Sequence, residues 1–191
     1  AALETAYRGF VVDSPNDLFS SERNHASVEN ALENMQRAGF FRTDVTQPKG
    51  FGTKCAKTYV TRCLLGDEGT TYKYLGLRMF AHPWDGAAPN ANDNSVESAI
   101  KVMHDLNTRL TERTDSHLEA LNRHRSERGV PLSKGRAGFD IALINRMVHT
   151  SELKDEPSMA EGKCSVSWHA DSSLEHFSTI AVYQVLRNDE A

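Results

Sequence analysis

The stretch from Val96 to about Arg125 constrains the fold of this chain more than any other. Val96, Ala99, Ile100, Met103, Leu106 and Leu110 recur at helical spacing, and Leu118 and Leu121 continue the stripe less densely. This predicts one long helix with a single apolar face. Gly129 and Pro131 mark its end, as glycine and proline do beyond a last helical turn. His104, His117 and His124 ride on the helix, but no two of them are four residues apart. They read as exposed helical histidines rather than as a metal pair.

A shorter amphipathic helix is expected earlier. From Ser27 the apolar residues Val28, Ala31, Leu32, Met35 and Ala38 follow the same period, and Gly39 stands where a C-terminal glycine belongs. Such a helix should lie against a sheet. Residues Tyr7 to Val12 and the segment begun by Phe40 and Phe41 read as short extended pieces. Lys57 to Leu65 and Thr70 to Phe80 predict two strands joined through the turn Gly66-Asp67-Glu68-Gly69, which is a hairpin signal. Counting outward from the turn brings Arg62 within about one residue of facing Tyr74. A guanidinium and a phenol ring on one face could form a base-recognition wall, Tyr74 as a stacking platform and Arg62 as a donor. The alternative is an ordinary packing pair.

Phe139 to Val148 predicts another strand, mostly apolar, with Asp140, Asn145 and Arg146 as polar exceptions. A last strand-like run, Cys164 to Leu186, places Ser165, Ser167, His169 and Asp171 on one face, because residues two apart in an extended chain project to the same side. A His and a carboxylate at this spacing are two of the three ligands in facial-triad iron sites. A His in a surface turn is the alternative. The order of elements suggests an α+β fold, with helices packed outside a mainly antiparallel sheet, compatible with a double-sheet jelly roll.

The 191 residues fit one domain or a little more, and a 39% hydrophobic share is enough for a real core. No apolar run approaches a membrane span, and the opening AALETAYRGF lacks the regions of a signal peptide. An intracellular protein with no membrane partner is the expectation, the nucleus ranked ahead of the cytoplasm. Cys55, Cys63 and Cys164 are odd in number and lack C-x-x-C spacing, so reduced, buried thiols are expected. A net charge of −4 argues against a surface coated in cations for non-specific nucleic-acid binding. Locally the balance reverses: Arg37, Arg42, Lys49, Lys54, Lys57 and Arg62 face the lone acid Asp44 in that span. The patch could meet phosphates, or be a solvated face.

Two segments together resemble a known family. VSWHAD, preceded by LKDEP and followed by a strand ending AVYQV, is similar to the metal-binding segment of the fat-mass-and-obesity-associated (FTO) demethylases, within the AlkB-type iron(II) and 2-oxoglutarate dioxygenases. TRCLLGDEGTTYKYLGLRMFAHPW resembles the substrate-recognition hairpin of the same family, and the GFFR before it fits as well. The resemblance implies oxidative removal of an N-methyl group from a base in single-stranded RNA or DNA, N6-methyladenine in RNA first among them. It implies Fe(II) as cofactor and 2-oxoglutarate as cosubstrate, with His169 and Asp171 as catalytic iron ligands. Tyr74, Leu75 and Val166 would sandwich the base, Arg62 would donate hydrogen bonds to it, and Ser167 and Trp168 would lie in the strand beside the ligands.

The chain also departs from the pattern. Asp140 stands where the family has an Asn that contacts 2-oxoglutarate, and a carboxylate there would repel unless protonated or turned away. Ser172 replaces a Glu that helps read the base. The family's second iron-binding His and its Arg for the distal carboxylate come from later strands, whereas only His176 follows Asp171 here. The expectation is therefore the N-terminal portion of a jelly-roll catalytic domain, without the distal strands and the C-terminal helical domain. Two alternatives stand beside it: a non-catalytic single-stranded nucleic-acid-binding module using the basic patch and the Tyr74 face, and an enzyme of the same type acting on methylated thymine or uracil.

Overall fold

A computed structural model of the chain describes residues 11–19, 22–46, 58–74, 77–85, 94–133, 135, 137–147, 174 and 178–185. In chain order its elements are α1 (Pro15–Leu18), α2 (Glu22–Arg37), β1 (Arg42–Thr46), β2 (Thr58–Gly66), β3 (Thr71–Tyr74), β4 (Leu77–Phe80), β5 (His82–Pro83), α3 (Asn94–Glu127) and β6 (Ile141–Met147). The fold is α+β, with small, mostly antiparallel sheets.

Helix α2 ends as its glycine requires. Gly39 has φ 79°, a conformation that costs a residue without Cβ nothing. The N–H of Phe40 donates to the Met35 carbonyl at 3.1 Å and that of Gly39 to Gln36 at 3.1 Å, the paired bonds of a Schellman motif. The same closure ends α3, where Gly129 has φ 65° and Val130 N–H donates to Arg125 at 2.9 Å. The long helix spans 34 residues, about 51 Å at 1.5 Å per residue. Only its first half, Val96, Ala99, Ile100, Met103 and Leu106, is fully buried, so the second half overhangs the core.

From the end of α3 the chain runs back along the helix, held by three polar side chains. Asn122 Oδ1 accepts from Ser133 N–H at 2.7 Å, Asp115 Oδ1 from Ala137 N–H at 3.2 Å, and Asn107 Nδ2 donates to the Phe139 carbonyl at 2.8 Å. Their spacing of seven and eight residues keeps them on one side of the helix. That return delivers β6 to the sheet.

Strand β2 is central. β6 pairs antiparallel along one edge, from Val60↔Met147 to Gly66↔Ile141. On the other edge β1 pairs antiparallel with residues 58–62, and β5 pairs parallel with Leu65 and Gly66. The hairpin expected between β2 and Thr70–Phe80 does not form. The turn closes, with Thr70 N–H donating to Asp67 at 3.0 Å, but both edges of β2 are already taken. The chain beyond the turn folds on itself instead: β3 pairs with β4, Tyr74 opposite Leu77. Arg62 therefore faces Arg42 and Asn145, and the expected Arg62–Tyr74 register is not observed.

Helices α2 and α3 cover one face of this sheet. Val28, Ala31 and Met35 from α2 meet Cys63 and Leu65 from β2 and the buried half of α3, with Ile144 at the margin. Side chains such as Met35 and Leu65, both at 0% exposure, are worth roughly 1.5–3 kcal/mol each when withdrawn from water. Cys63 is free and buried, and burial pushes its thiol up to about 12, so it stays protonated. Cys55 and Cys164 lie outside the described residues. Residues 178–185 form no strand ladder, yet their burial alternates. Tyr183 and Val185 pack on the core, and the Tyr183 hydroxyl is hydrogen-bonded to His25 Nδ1.

One polar cluster ties the start of the described chain to α3. Arg113 donates to both Asp13 carboxylate oxygens at 3.0 and 2.9 Å, and His117 Nε2 lies 2.8 Å from Asp13. His117 is thus a half-buried partner of an acid rather than the exposed histidine expected, whereas His104 and His124 are exposed. Among the described residues no helix is long and apolar enough to cross a membrane.

Two outcomes test this scaffold. Hydrogen bonds from Arg113 and then His117 hold the Asp13 carboxyl well below its ordinary value. A depressed carboxylate stabilises the fold above its unfolded pKa of about 4, and that contribution is lost as pH falls toward the folded value. Asp13→Asn should flatten this acid limb of a stability-against-pH curve below about pH 4 while leaving its shape near neutrality unchanged. Gly66→Ala should destabilise by roughly 1–3 kcal/mol in denaturant unfolding, since an added Cβ would sit 2.8 Å from the Asp140 carbonyl oxygen and 3.1 Å from Ala81 Cβ.

Candidate functional site

Alternation along β2 sorts its side chains into two groups. Cys63 and Leu65 join the helix-covered core, so Arg62 and Leu64 project to the opposite face. Residues directly opposite in an antiparallel pair share a face. Asn145 beside Arg62, Leu143 beside Leu64 and Met147 beside Val60 therefore lie on that second face. Leu143 and Met147 are exposed there, and Arg62 is the one buried charged residue among those described, at 7% exposure.

Arg62 has a fixed direction. Its Nε–H donates to Asn145 Oδ1 at 3.1 Å. A guanidinium is planar, so anchoring one N–H constrains where its remaining donors point. Asn145 itself is exposed. Across β1 the register partner of Arg62 is Arg42. The row Arg42, Arg62, Asn145 thus crosses three strands without an acidic residue.

Asp140 sits elsewhere. It is exposed, one residue before β6, and its backbone carbonyl accepts the Asp67 N–H at 3.2 Å. Its side chain helps line a groove on the helix side, with Asp67, His104, Asn107, Glu112 and Phe139. A groove with three acidic side chains repels a dicarboxylate such as 2-oxoglutarate. The polar β6 residue on the Arg62 face is Asn145. Sequence reading gave Asn145 no role. The signal was present as a polar residue inside an apolar strand, but its face could be assigned only once its register against β2 was fixed.

Of the other expected site residues, only Tyr74 lies in a described segment. Tyr74 closes β3, opposite Leu77 in the separate two-stranded sheet. Leu75, Val166, Ser167, Trp168, His169 and Asp171 lie outside the described residues. Among the described residues no three His, Cys, Asp or Glu side chains converge to hold a metal. By residue type His169 and Asp171 fit ferrous iron, which takes imidazole and carboxylate donors.

Comparison with known proteins places this arrangement. The family described as FTO catalytic domain matches residues 1–191. The alpha-ketoglutarate-dependent dioxygenase FTO of Xenopus laevis is 32% identical over 185 aligned residues, covering 83% of this chain and 36% of that protein. The chain thus spans little more than a third of the length of that relative. The family match runs the length of the chain and takes in both the Arg62 strand and the VSWHAD segment. The chain belongs to the FTO catalytic-domain family.

Proposed function

We propose that the protein carrying this chain removes the methyl group of N6-methyladenine in RNA by iron(II)- and 2-oxoglutarate-dependent oxidation, with related N-methylated bases in single-stranded nucleic acid as further substrates. The observation that carries the reading is the family match along residues 1–191, and the name of the Xenopus laevis relative supports it with its dependence on alpha-ketoglutarate. The chain is read as the N-terminal portion of a jelly-roll catalytic domain, in line with the 36% of that relative that it covers.

His169 and Asp171 would hold the iron, which when bound with 2-oxoglutarate and dioxygen supplies the oxidation of the N-methyl carbon. The chain's own residues bind and orient. A base presented to such a site must first leave its stack, and Tyr74, Leu75 and Val166 offer it apolar and aromatic surface in exchange. Arg62, held by Asn145, donates to a ring nitrogen or carbonyl of the base. Leu143 and Met147 add apolar surface on the same face, which helps to exclude water from the reacting carbon. Asn145, rather than Asp140, is the amide available to an oxygen of 2-oxoglutarate. Once hydroxylated, the N-methyl group leaves as formaldehyde and the parent amine is restored.

The test is formaldehyde release from an N6-methyladenine RNA oligonucleotide by the full-length protein, which should require both iron and 2-oxoglutarate. His169→Ala should abolish iron binding, read by metal titration, and Tyr74→Ala should weaken oligonucleotide binding with iron retained. Equal iron affinity in wild type and His169→Ala would remove His169 from the site. Oligonucleotide binding without any formaldehyde release would favour a non-catalytic binding module.

A further inference from the structure

A group of cations at the far end of α3 takes no part in the base-recognition reading. Arg123, His124, Arg125 and Arg128 fall close together, with Glu127 as the one acid between them, in a chain whose net charge is −4. Arg123, His124 and Arg128 are exposed. The ion pairs among the described residues lie elsewhere, at Asp13 and at His25, so within the described fold no carboxylate neutralises Arg123 or Arg128. A helix dipole favours cations in the last turn. That accounts for His124 and Arg125, the basic residues of that turn, but does not call for Arg123 and Arg128 on either side of them.

The group is held in place. Arg125 Nε–H donates to the Pro131 carbonyl at 2.6 Å, Val130 N–H closes back onto the Arg125 carbonyl, and Asn122 exchanges two hydrogen bonds with Ser133. Its position follows from the return path. The contacts Asn107 to Phe139, Asp115 to Ala137 and Asn122 to Ser133 step outward from the start of β6, which pairs with Gly66 at the end of β2. The cations therefore stand beyond that end of the sheet. Arg123 lies about 26 Å past Leu106, the last fully buried residue of the helix, at 1.5 Å per residue. Arg62 is about 13 Å in from Gly66 at 3.3 Å per strand residue. Leu121, Val130 and Leu132 are exposed in the same part of the chain. A single strand presents both phosphates and base faces, so cations interleaved with apolar side chains suit it better than a duplex, whose base faces are stacked away.

We propose that the tip of α3 is a second contact for single-stranded RNA: Arg123 and Arg128 bind backbone phosphates of the strand flanking the methylated base, and Leu121, Val130 and Leu132 give its bases apolar surface. This rests on the proposed demethylase reading and adds to it a dependence on strand length. A strand with its target base at Arg62 runs off the Gly66 end of the sheet and reaches the tip only when it is long enough.

The experiment titrates fluorescent N6-methyladenine RNA oligonucleotides of about 4 and about 16 nucleotides, the span of single-strand site sizes, against the full-length protein without 2-oxoglutarate, so that nothing turns over. Affinity is measured over a series of salt concentrations. For the long oligonucleotide, Arg123→Gln/Arg128→Gln should make the slope of log affinity against log salt shallower by about 1.4, two phosphate contacts at about 0.7 each on a single strand. Arg123→Lys/Arg128→Lys keeps both charges and should keep the wild-type slope. The short oligonucleotide should bind wild type and both variants alike, which also shows that the variants are folded. An unchanged slope for the long oligonucleotide in the glutamine variant overturns the inference alone, as does an equal loss on the short one. Failure of wild type to bind either oligonucleotide overturns the inference together with the demethylase reading.

Discussion

The central sheet of the described fold depends on β2 being paired along both edges. A strand so placed has no free backbone donors to offer a further partner, and that alone explains why the chain beyond Gly66 turns away. It also gives β2 two faces with separate tasks. Cys63 and Leu65 face the helices and hold the layers together, while Arg62, one residue away, is turned to the other side. A central strand moves little, since shifting it would break ladders with β1, β5 and β6 at once. A buried guanidinium mounted there is correspondingly well placed for recognition, because its backbone position is fixed by three neighbours.

The delivery of β6 is the second requirement. Between β5 and β6 the chain spends 34 residues in one helix, and a helix of that length carries its C-terminal end far from the sheet. The return path is irregular in secondary structure but not in bonding. Asn122, Asp115 and Asn107 meet it in turn, satisfying backbone groups that would otherwise have no ladder or helix partner. The overhanging half of α3 is thus a track for the chain that follows it. Asp13 adds a clamp on the same half of the helix, with one carboxylate bridging Arg113 and His117 a turn apart.

Local signals in the sequence were legible where one residue decides the outcome. Gly39 and Gly129 ended their helices because left-handed backbone is cheap only without a Cβ, and the apolar stripe of α3 was read correctly down to its thinning after Leu110. Pairing partners were not legible in the same way. The turn at Gly66–Gly69 is real, but whether its flanks pair depends on which other strands reach β2, and β6 pairs with it across a long separation, from Gly66↔Ile141 to Val60↔Met147. The same limit hid Asn145. The family resemblance points to Asp140 by motif spacing alone, whereas the structure separates the two residues: Asp140 lines the helix-side groove and Asn145 lies in register with Arg62. His117 shows the complementary case, a residue whose partner, Asp13, lies 104 positions away and leaves no local pattern.

The choice of an amide beside Arg62 has its own physical logic. A carboxylate at position 145 would bind the guanidinium more strongly than an amide does, because charge-assisted hydrogen bonds are roughly twice as strong as neutral ones. It would also compete with any ligand for the same donors. An amide sets direction without supplying a counter-charge, and it keeps donors of its own for a second group. The row Arg42, Arg62, Asn145 carries this out across three strands: positive, positive, neutral, with no acid among them. Asp67, Glu112 and Asp140 line the groove on the helix side, while Asp44 stands opposite Val60, one step further along the Arg62 face. At Arg62 itself the register neighbours bring no counter-charge, which suits that point of the face to an electron-rich ligand.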